Sequence, residues 1–153
     1  MNQKIKNLSK AVSRVKKAVK KQERIILFGD GDLDGATSVS IVQEAIETYG
    51  GKISRVYFPD REKEGYGLNE LSLSFIKQYA PGLLIVLDSG VSSHQALKQA
   101  KAMGFEPVVI DHHEVLGEVP KSGIIVDPKQ PKDNYPFKKL STSSLSYIFA
   151  KEL

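Results

Sequence analysis

The chain has 153 residues, of which 41% are hydrophobic and 26% charged, a composition typical of one folded domain with a buried core. No apolar run approaches the roughly 20 residues of a membrane-spanning helix, and no signal peptide precedes the first charged segment. The absence of cysteine excludes disulfides, thiolate metal sites and thiol nucleophiles, and it is compatible with the cytoplasmic location that we expect. The net charge of +4 weakly favours a polyanionic partner.

The first predicted element is a helix over residues 4–22. Apolar residues recur there every three or four positions, which is the spacing of one helix face. These residues are Ile5, Leu8, Val12, Val15 and Val19. The remaining face is basic and carries Lys6, Lys10, Arg14, Lys16, Lys17, Lys20 and Lys21. The basic face has two interpretations, a solvated surface or a surface that contacts phosphates.

Beyond this helix, short apolar segments alternate with helical segments. Strands are predicted at 24–28, 53–58, 83–87, 107–110 and 124–126. Helices are predicted at 36–49, at 69–79 with Asn69 as N-cap, at 92–103 and at 142–152. The Pro- and Lys-rich stretch 127–139 reads as a loop. The fold class is therefore α/β, with a mostly parallel sheet flanked by helices on both faces.

Charged side chains follow four consecutive predicted strands. In an open parallel sheet, ligands bind beyond the carboxyl ends of the strands, so these side chains are expected on one rim. They are Asp30, Asp32, Asp34, Asp60, Arg61, Asp88, Asp111, His112, His113 and Glu114. Carboxylates with imidazole and no sulfur suit Mn²⁺ or Mg²⁺, with Zn²⁺ or Fe as alternatives. Two such ions could clamp an in-line displacement at phosphorus.

Each of these residues also has a plain structural interpretation. Asp34 precedes the predicted helix and could be its N-cap. Asp88 could belong to a helix-start turn. His112 and His113 could be one buried and one exposed histidine without a chemical role, and His94 is expected on the surface. The conjunction at successive strand ends favours a functional site over these separate explanations.

Three stretches of the rim resemble the first three motifs of the DHH phosphoesterase superfamily. They are "GDGDLDGATS" (29–38), "LDSGVSS" (87–93) and "IDHHEV" (110–115). Two further stretches resemble segments of its RecJ-like branch of single-strand-specific exonucleases, "FPDREKEGYGLN" (58–69) and "VDPKQPKDNYPFKKLS" (126–141). The resemblance runs from about Arg24 to the C-terminus and implies a Rossmann-like DHH domain. We assign this domain to residues 1–153, with the basic N-terminal helix at 1–22 included.

The chain departs from the family pattern at a few places. Phe28 stands where the small pyrophosphatases and oligoribonucleases of the superfamily have His. The lack of His at this position is similar to the RecJ-like branch. Asp127 stands where that branch usually has Asn. The family has its fourth metal motif and its C-terminal DHHA1-type domain after a helix like the one predicted at 142–152, so we expect neither within these 153 residues. We therefore expect a metal-binding half of a site, which a C-terminal domain or a partner chain would complete.

The resemblance assigns two ions, Mn²⁺ or Mg²⁺, to five residues of this chain. Asp32 and Asp34 would each hold one ion, with Asp30 as a further ligand or support. Asp88 would bridge the two ions, and His112 would ligate a metal.

The resemblance also implies residues that act on the substrate. His113 would contact the scissile phosphate, and Asp111 would orient the loop that carries His113. Arg61 would clamp a phosphate, because a guanidinium can donate two parallel hydrogen bonds. Backbone N–H groups from Gly35 to Thr37, at a helix N-terminus, would assist.

The implied function is metal-dependent hydrolysis of phosphodiester bonds. The expected activity is a 5′→3′ exonuclease on single-stranded DNA that releases 5′-mononucleotides. Two alternatives remain open: a non-catalytic scaffold or nucleic-acid-binding module with the same fold, and a phosphodiesterase for oligoribonucleotides or cyclic dinucleotides.

Overall fold

Residues 4–153, which a computed structural model describes, form a five-stranded sheet in the order β2-β1-β3-β4-β5. The strands are β1 (Ile25–Gly29), β2 (Ile53–Tyr57), β3 (Gly82–Leu87), β4 (Phe105–Ile110) and β5 (Ile124–Val126). The helices are α1 (Leu8–Lys20), α2 (Leu33–Thr48), α3 (Arg61–Glu64), α4 (Glu70–Ile76), α5 (His94–Ala102) and α6 (Thr142–Glu152). All neighbouring strands are parallel, which confirms the predicted fold class.

The two faces of the sheet bury separate apolar clusters. On one face, Ile25 and Leu27 of β1 pack with α1, α2 and α6. On the other face, Ile26 and Phe28 pack with α4 and α5. Successive side chains of a strand point to opposite faces, so a strand covered on both sides must be apolar throughout. The run "IILF" meets this requirement, and β1 ends at the rim between β2 and β3.

All the predicted strands and helices are present, and their ends lie within four residues of the periods in the sequence. Residues 1–3 of the basic segment assigned to 1–22 lie outside the described residues. Asn69 caps α4 as expected, in a reciprocal arrangement with Ser72, and a 3₁₀ turn at Lys77–Tyr79 follows α4. Helix α3 was not predicted, because four residues are too few to show an apolar period. Among residues 4–153, we find no helix with the length and hydropathy needed to cross a bilayer.

Arg14 corrects the sequence interpretation of the basic helix face. Its side chain is buried and forms ion pairs with Glu23 and Glu106, so it does not belong to a solvated or phosphate-contacting surface. A local helical period cannot reveal this, because Glu106 is 92 residues away. Four of the lysines on that face are exposed, Lys10, Lys17, Lys20 and Lys21.

Close packing at Gly35 shapes the turn between β1 and α2. A Cβ at this position would lie 2.2 Å from the Asp30 carbonyl oxygen and 2.8 Å from the Asp30 nitrogen. The first turn of α2 therefore rests directly on the backbone that carries Asp30. Only glycine permits this approach, which brings the aspartates of the turn together.

We predict that Gly35→Ala destabilises the protein by about 2 kcal/mol or more, because the turn must open to admit the methyl group. Chemical denaturation measures this loss. Gly31→Ala is the matched control in the same turn, since its Cβ would meet no atom closer than 3.3 Å. Equal stability losses in the two variants would contradict the steric explanation.

Candidate active site

The carboxyl ends of β1, β3 and β4 bring the predicted metal ligands into two overlapping groups. In one group, Asp30, Asp32 and Asp88 each place a carboxylate oxygen within 4.8 Å of the others. In the other, Asp88, His112 and His113 meet the same limit. Asp88 belongs to both groups, so it occupies the position that a bridging ligand requires.

Asp34 joins this cluster through His112. The His112 Nε2 atom lies 3.5 Å from Asp88 Oδ1 and 3.8 Å from Asp34 Oδ2. The five side chains predicted as metal ligands are therefore contiguous. Two other residues named in the sequence analysis lie outside this cluster: Asp60 caps the short helix α3, and His94 is the exposed first residue of α5.

The N-cap of α2 is Asp32 and not Asp34. The Asp32 carboxylate accepts a 2.9 Å hydrogen bond from the Gly35 N–H. This bond, aided by Arg61, holds the pKa of Asp32 below its ordinary value despite partial burial. Because α2 begins at Leu33, three residues earlier than predicted, the Gly35 N–H is occupied and Thr37 lies within the hydrogen-bonded ladder. Neither amide is free for a phosphate, which corrects that part of the sequence interpretation.

The N-terminus of α6 orients the carboxylate of Asp34. Both of its oxygens accept backbone hydrogen bonds, at 2.9 Å from the Thr142 N–H and at 2.8 Å from the Ser143 N–H. Burial opposes the ionisation of Asp34, yet these bonds hold its pKa below the ordinary value. The sequence analysis missed this contact, since the partners are 108 residues apart. The hydroxyl-rich start of α6, "STSS", was the only available signal.

Asp88 is the most constrained carboxylate of the cluster. It is 2% exposed, and its backbone has a positive φ of 63°. Burial, together with the nearby charges of Asp34 and Asp32, raises the pKa of Asp88 to about 7, against the effect of a hydrogen bond from Thr142. That bond runs from the Thr142 hydroxyl to Asp88 Oδ1 at 2.8 Å. A buried carboxylate among others favours a bound cation, so the donor set fits a divalent metal.

Asp111 organises the loop that carries the two histidines. Its buried carboxylate accepts hydrogen bonds from the N–H groups of Val91, His112 and His113, at 2.8 to 3.2 Å. It also lies 2.7 Å from His113 Nδ1. Burial opposes the charge on Asp111, but the bonds from His113 and Val91 keep its pKa low. In return, the Asp111 carboxylate raises the pKa of His113 to about 9, so His113 is a cation at neutral pH.

Arg61 neutralises the outer carboxylates of the cluster. Its guanidinium donates to both oxygens of Asp30, at 2.8 and 3.3 Å, and to Asp32 Oδ2 at 3.0 Å. It also lies over the ring of Tyr66, with 5.0 Å between Cζ and the ring centroid. The residue predicted to clamp a phosphate is therefore at the site, where it is paired with carboxylates.

Asp127 lies outside the two ligand groups. Its side chain is fully buried, and Oδ1 accepts a 2.7 Å hydrogen bond from the Lys129 N–H, whereas Oδ2 has no protein partner. Burial raises the pKa of Asp127 to about 7. A charged carboxylate here is therefore unfavourable, which suits the neutral Asn that the RecJ-like pattern has at this position.

Fold and site together define an α/β domain with a carboxylate and imidazole cluster at the carboxyl edge of its sheet. Residues 24–152 match the N-terminal domain of the DHH family. Over 149 residues the chain is 38% identical to the single-stranded-DNA-specific exonuclease RecJ of Bacillus subtilis, covering 97% of this chain and 19% of that protein. It is 30% identical to RecJ of Escherichia coli, covering 95% and 25%. The chain belongs to the DHH family.

Solved structures agree with this assignment. A crystal structure of exonuclease RecJ bound to manganese superposes with a TM-score of 0.87 at 26% identity, over 98% of this chain and 38% of that one. The RecJ structure from Thermus thermophilus in complex with Mn²⁺ has a TM-score of 0.77 at 23% identity, over 97% and 21%, and shows the same fold. The chain thus spans about a fifth to a quarter of the length of its curated relatives.

We predict that Thr142→Val lowers the stability of the metal-free protein at pH 8 by about 1–3 kcal/mol, because buried Asp88 loses its hydroxyl donor. Urea denaturation with a chelator present measures the loss. Thr142→Ser should retain stability, and Thr37→Val, at an exposed threonine of α2, serves as the control. A destabilised Ser variant would show that packing, and not the hydroxyl, is what matters.

We predict that Asp127→Asn raises the midpoint of thermal unfolding by about 3 °C or more at pH 8.5. Because the pKa of Asp127 is raised on folding, the aspartate costs stability as the pH rises from about 4 to 7. The gain should therefore shrink as the pH falls toward 4. Asp133→Asn is the contrasting control, since it removes an ion pair with Lys138 and should lower the midpoint. A gain independent of pH would contradict this account.

Proposed function

We propose that this chain is the metal-binding part of an exonuclease that hydrolyses phosphodiester bonds of single-stranded nucleic acid, with DNA favoured. The observation that carries the proposal is the position of Asp88 in both ligand groups, between the carboxylates of the β1–α2 turn and the two histidines. The two relatives described above are named as single-stranded-DNA-specific exonucleases, which supports the substrate class.

In this proposal, five side chains hold two divalent ions, Mn²⁺ or Mg²⁺: Asp30, Asp32, Asp34, Asp88 and His112. When bound, such ions activate water and stabilise the charge that develops at phosphorus. The cluster suits them because its carboxylates are close together and Asp88 is buried.

Two cationic side chains act on the substrate. The Asp111 carboxylate raises the pKa of His113, which favours a charged donor to an oxygen of the scissile phosphate, and it keeps the imidazole in place. With cations held by Asp30 and Asp32, the Arg61 guanidinium would be available to pair with a phosphate of the substrate. Attack from a 5′ end and release of 5′-mononucleotides complete the proposed activity.

The rest of the cleft lies outside this chain in our proposal. The curated relatives described above are about four to five times longer, which supports a C-terminal DHHA1-type domain, or a partner chain, that completes the cleft. A cytoplasmic location stays a prediction.

One observation favours the scaffold alternative. Arg61 already compensates Asp30 and Asp32, so this part of the cluster is stable without an ion. A DHH-fold module that binds partners and holds no metal would keep such a pair. Metal binding separates the two functions.

We predict that titration calorimetry shows two Mn²⁺ ions bound per chain with affinities well below millimolar. Asp88→Asn should weaken both ions and Asp34→Asn one of them, each by at least about tenfold, since an anionic ligand is lost. Asp60→Asn is the matched control, because Asp60 is also a strand-end aspartate but only caps α3. Absence of Mn²⁺ binding in the unmodified chain would leave the scaffold function ahead.

A further inference from the structure

Tyr66 is a large aromatic residue that the core does not explain. It lies between α3 and α4 with 76% of its surface exposed. What distinguishes this exposed ring is its place beside Arg61 and the carboxylate cluster, where a planar ligand can reach it.

The loop around Tyr66 is rigidly pinned. The Asn69 side-chain amide donates to the backbone carbonyls of Glu64, at 2.8 Å, and Gly67, at 3.3 Å. Leu68 is 3% exposed and anchors the loop in the apolar cluster below. Gly67 has a positive φ of 66°, which glycine adopts without strain. The exposure of Tyr66 is thus a built feature of the loop.

The ring is tied to the carboxylate cluster through Arg61. The guanidinium lies 5.0 Å from the ring centroid while it pairs with Asp30 and Asp32. The cation supports the ring, and the exposed remainder of the ring surface can take a second planar group.

Tyr66 borders a cleft of about 510 Å³ that it shares with the candidate active site. Leu116, from the loop after β4, lines the same cleft and is 78% exposed. Asp88 and His113 also line it. The volume lies in the usual range for small-ligand sites, and the apolar groups beside a charged cluster suit a ligand with one flat apolar part and one anionic part.

We propose that Tyr66 stacks against the base of the nucleotide whose phosphate lies at the Asp88–His113 cluster, with Leu116 as the second apolar wall. The inference rests on the proposed function and adds a base-binding subsite to it. Stacking on an aromatic face tolerates every base, because each base has a π-face, so the subsite holds single-stranded nucleic acid without sequence preference. Duplex DNA keeps its bases stacked on one another and cannot use the subsite.

The test compares Tyr66→Leu with two matched variants. Tyr66→Phe keeps the ring, and Tyr147→Leu removes another exposed tyrosine. Tyr147 is 58% exposed on α6 and has its own cation, Lys151, at 5.8 Å from the ring centroid, but it does not line the cleft. Binding is measured with Mn²⁺ by fluorescence anisotropy, on a short oligothymidylate with phosphorothioate linkages that resist hydrolysis. A second series of oligonucleotides carries one abasic residue at each of the first four positions from the 5′ end.

We expect Tyr66→Leu to bind the intact oligonucleotide about tenfold more weakly, with Tyr66→Phe and Tyr147→Leu close to the unmodified chain. The loss should disappear for one abasic position, which then locates the stacked base. The Mn²⁺ affinity of Tyr66→Leu should be unchanged.

An equal loss of Tyr66→Leu affinity for every abasic oligonucleotide would overturn the stacking role, and so would an unchanged affinity for the intact one. In both cases, retained Mn²⁺ binding would still support the metal site. If the unmodified chain binds neither Mn²⁺ nor the oligonucleotide, the proposed function fails and the subsite fails with it.

Discussion

Mutual repulsion among four aspartates at one rim is the constraint on which the site depends. Each carboxylate has its own compensation within the protein. Arg61 neutralises Asp30 and Asp32, the N-terminus of α6 binds Asp34, and Asp88 has the Thr142 hydroxyl and a raised pKa. The fold therefore holds the four carboxylates close together without a bound cation. A cation that enters such a cluster would replace these hydrogen bonds and ion pairs as the group that offsets the repulsion, and the carboxylates would need little rearrangement.

The two sides of the cluster differ in how firmly they are held. Backbone N–H groups and a buried hydroxyl hold Asp34 and Asp88, so these contacts move only with α6. Asp30 and Asp32 accept bonds from the Gly31 and Gly35 N–H groups, but their charge is compensated by the long side chain of Arg61, which can leave by rotation about its own bonds. The site thus combines a fixed inner part with an adjustable outer part, and Arg61 links the outer part to the ring of Tyr66.

The sequence predicted the elements and the rim because both follow from local patterns. Apolar runs and helical spacing can be recognised over a few residues, and the carboxyl ends of parallel strands lie at the same edge of a sheet. Contacts between distant polar groups leave no such pattern. Four such contacts became visible only in the three-dimensional structure. They are the burial of Arg14, the N-cap by Asp32, the pairing of Arg61 with carboxylates and the hydrogen bond from Thr142 to Asp88. Family resemblance implied which side chains would be metal ligands, but it did not show which contacts hold those side chains in place.

The contact between α6 and the aspartates also sets an order of assembly. Asp34 is made early in synthesis, whereas its donors Thr142 and Ser143 follow more than 100 residues later. Until α6 docks against α2, Asp34 has neither of its amide donors and Asp88 lacks its hydroxyl. A nascent chain that ends before residue 142 therefore carries the acidic residues without the arrangement that makes them a site. Within residues 4–153, the arrangement of the acidic groups is complete only when α6 has docked against α2.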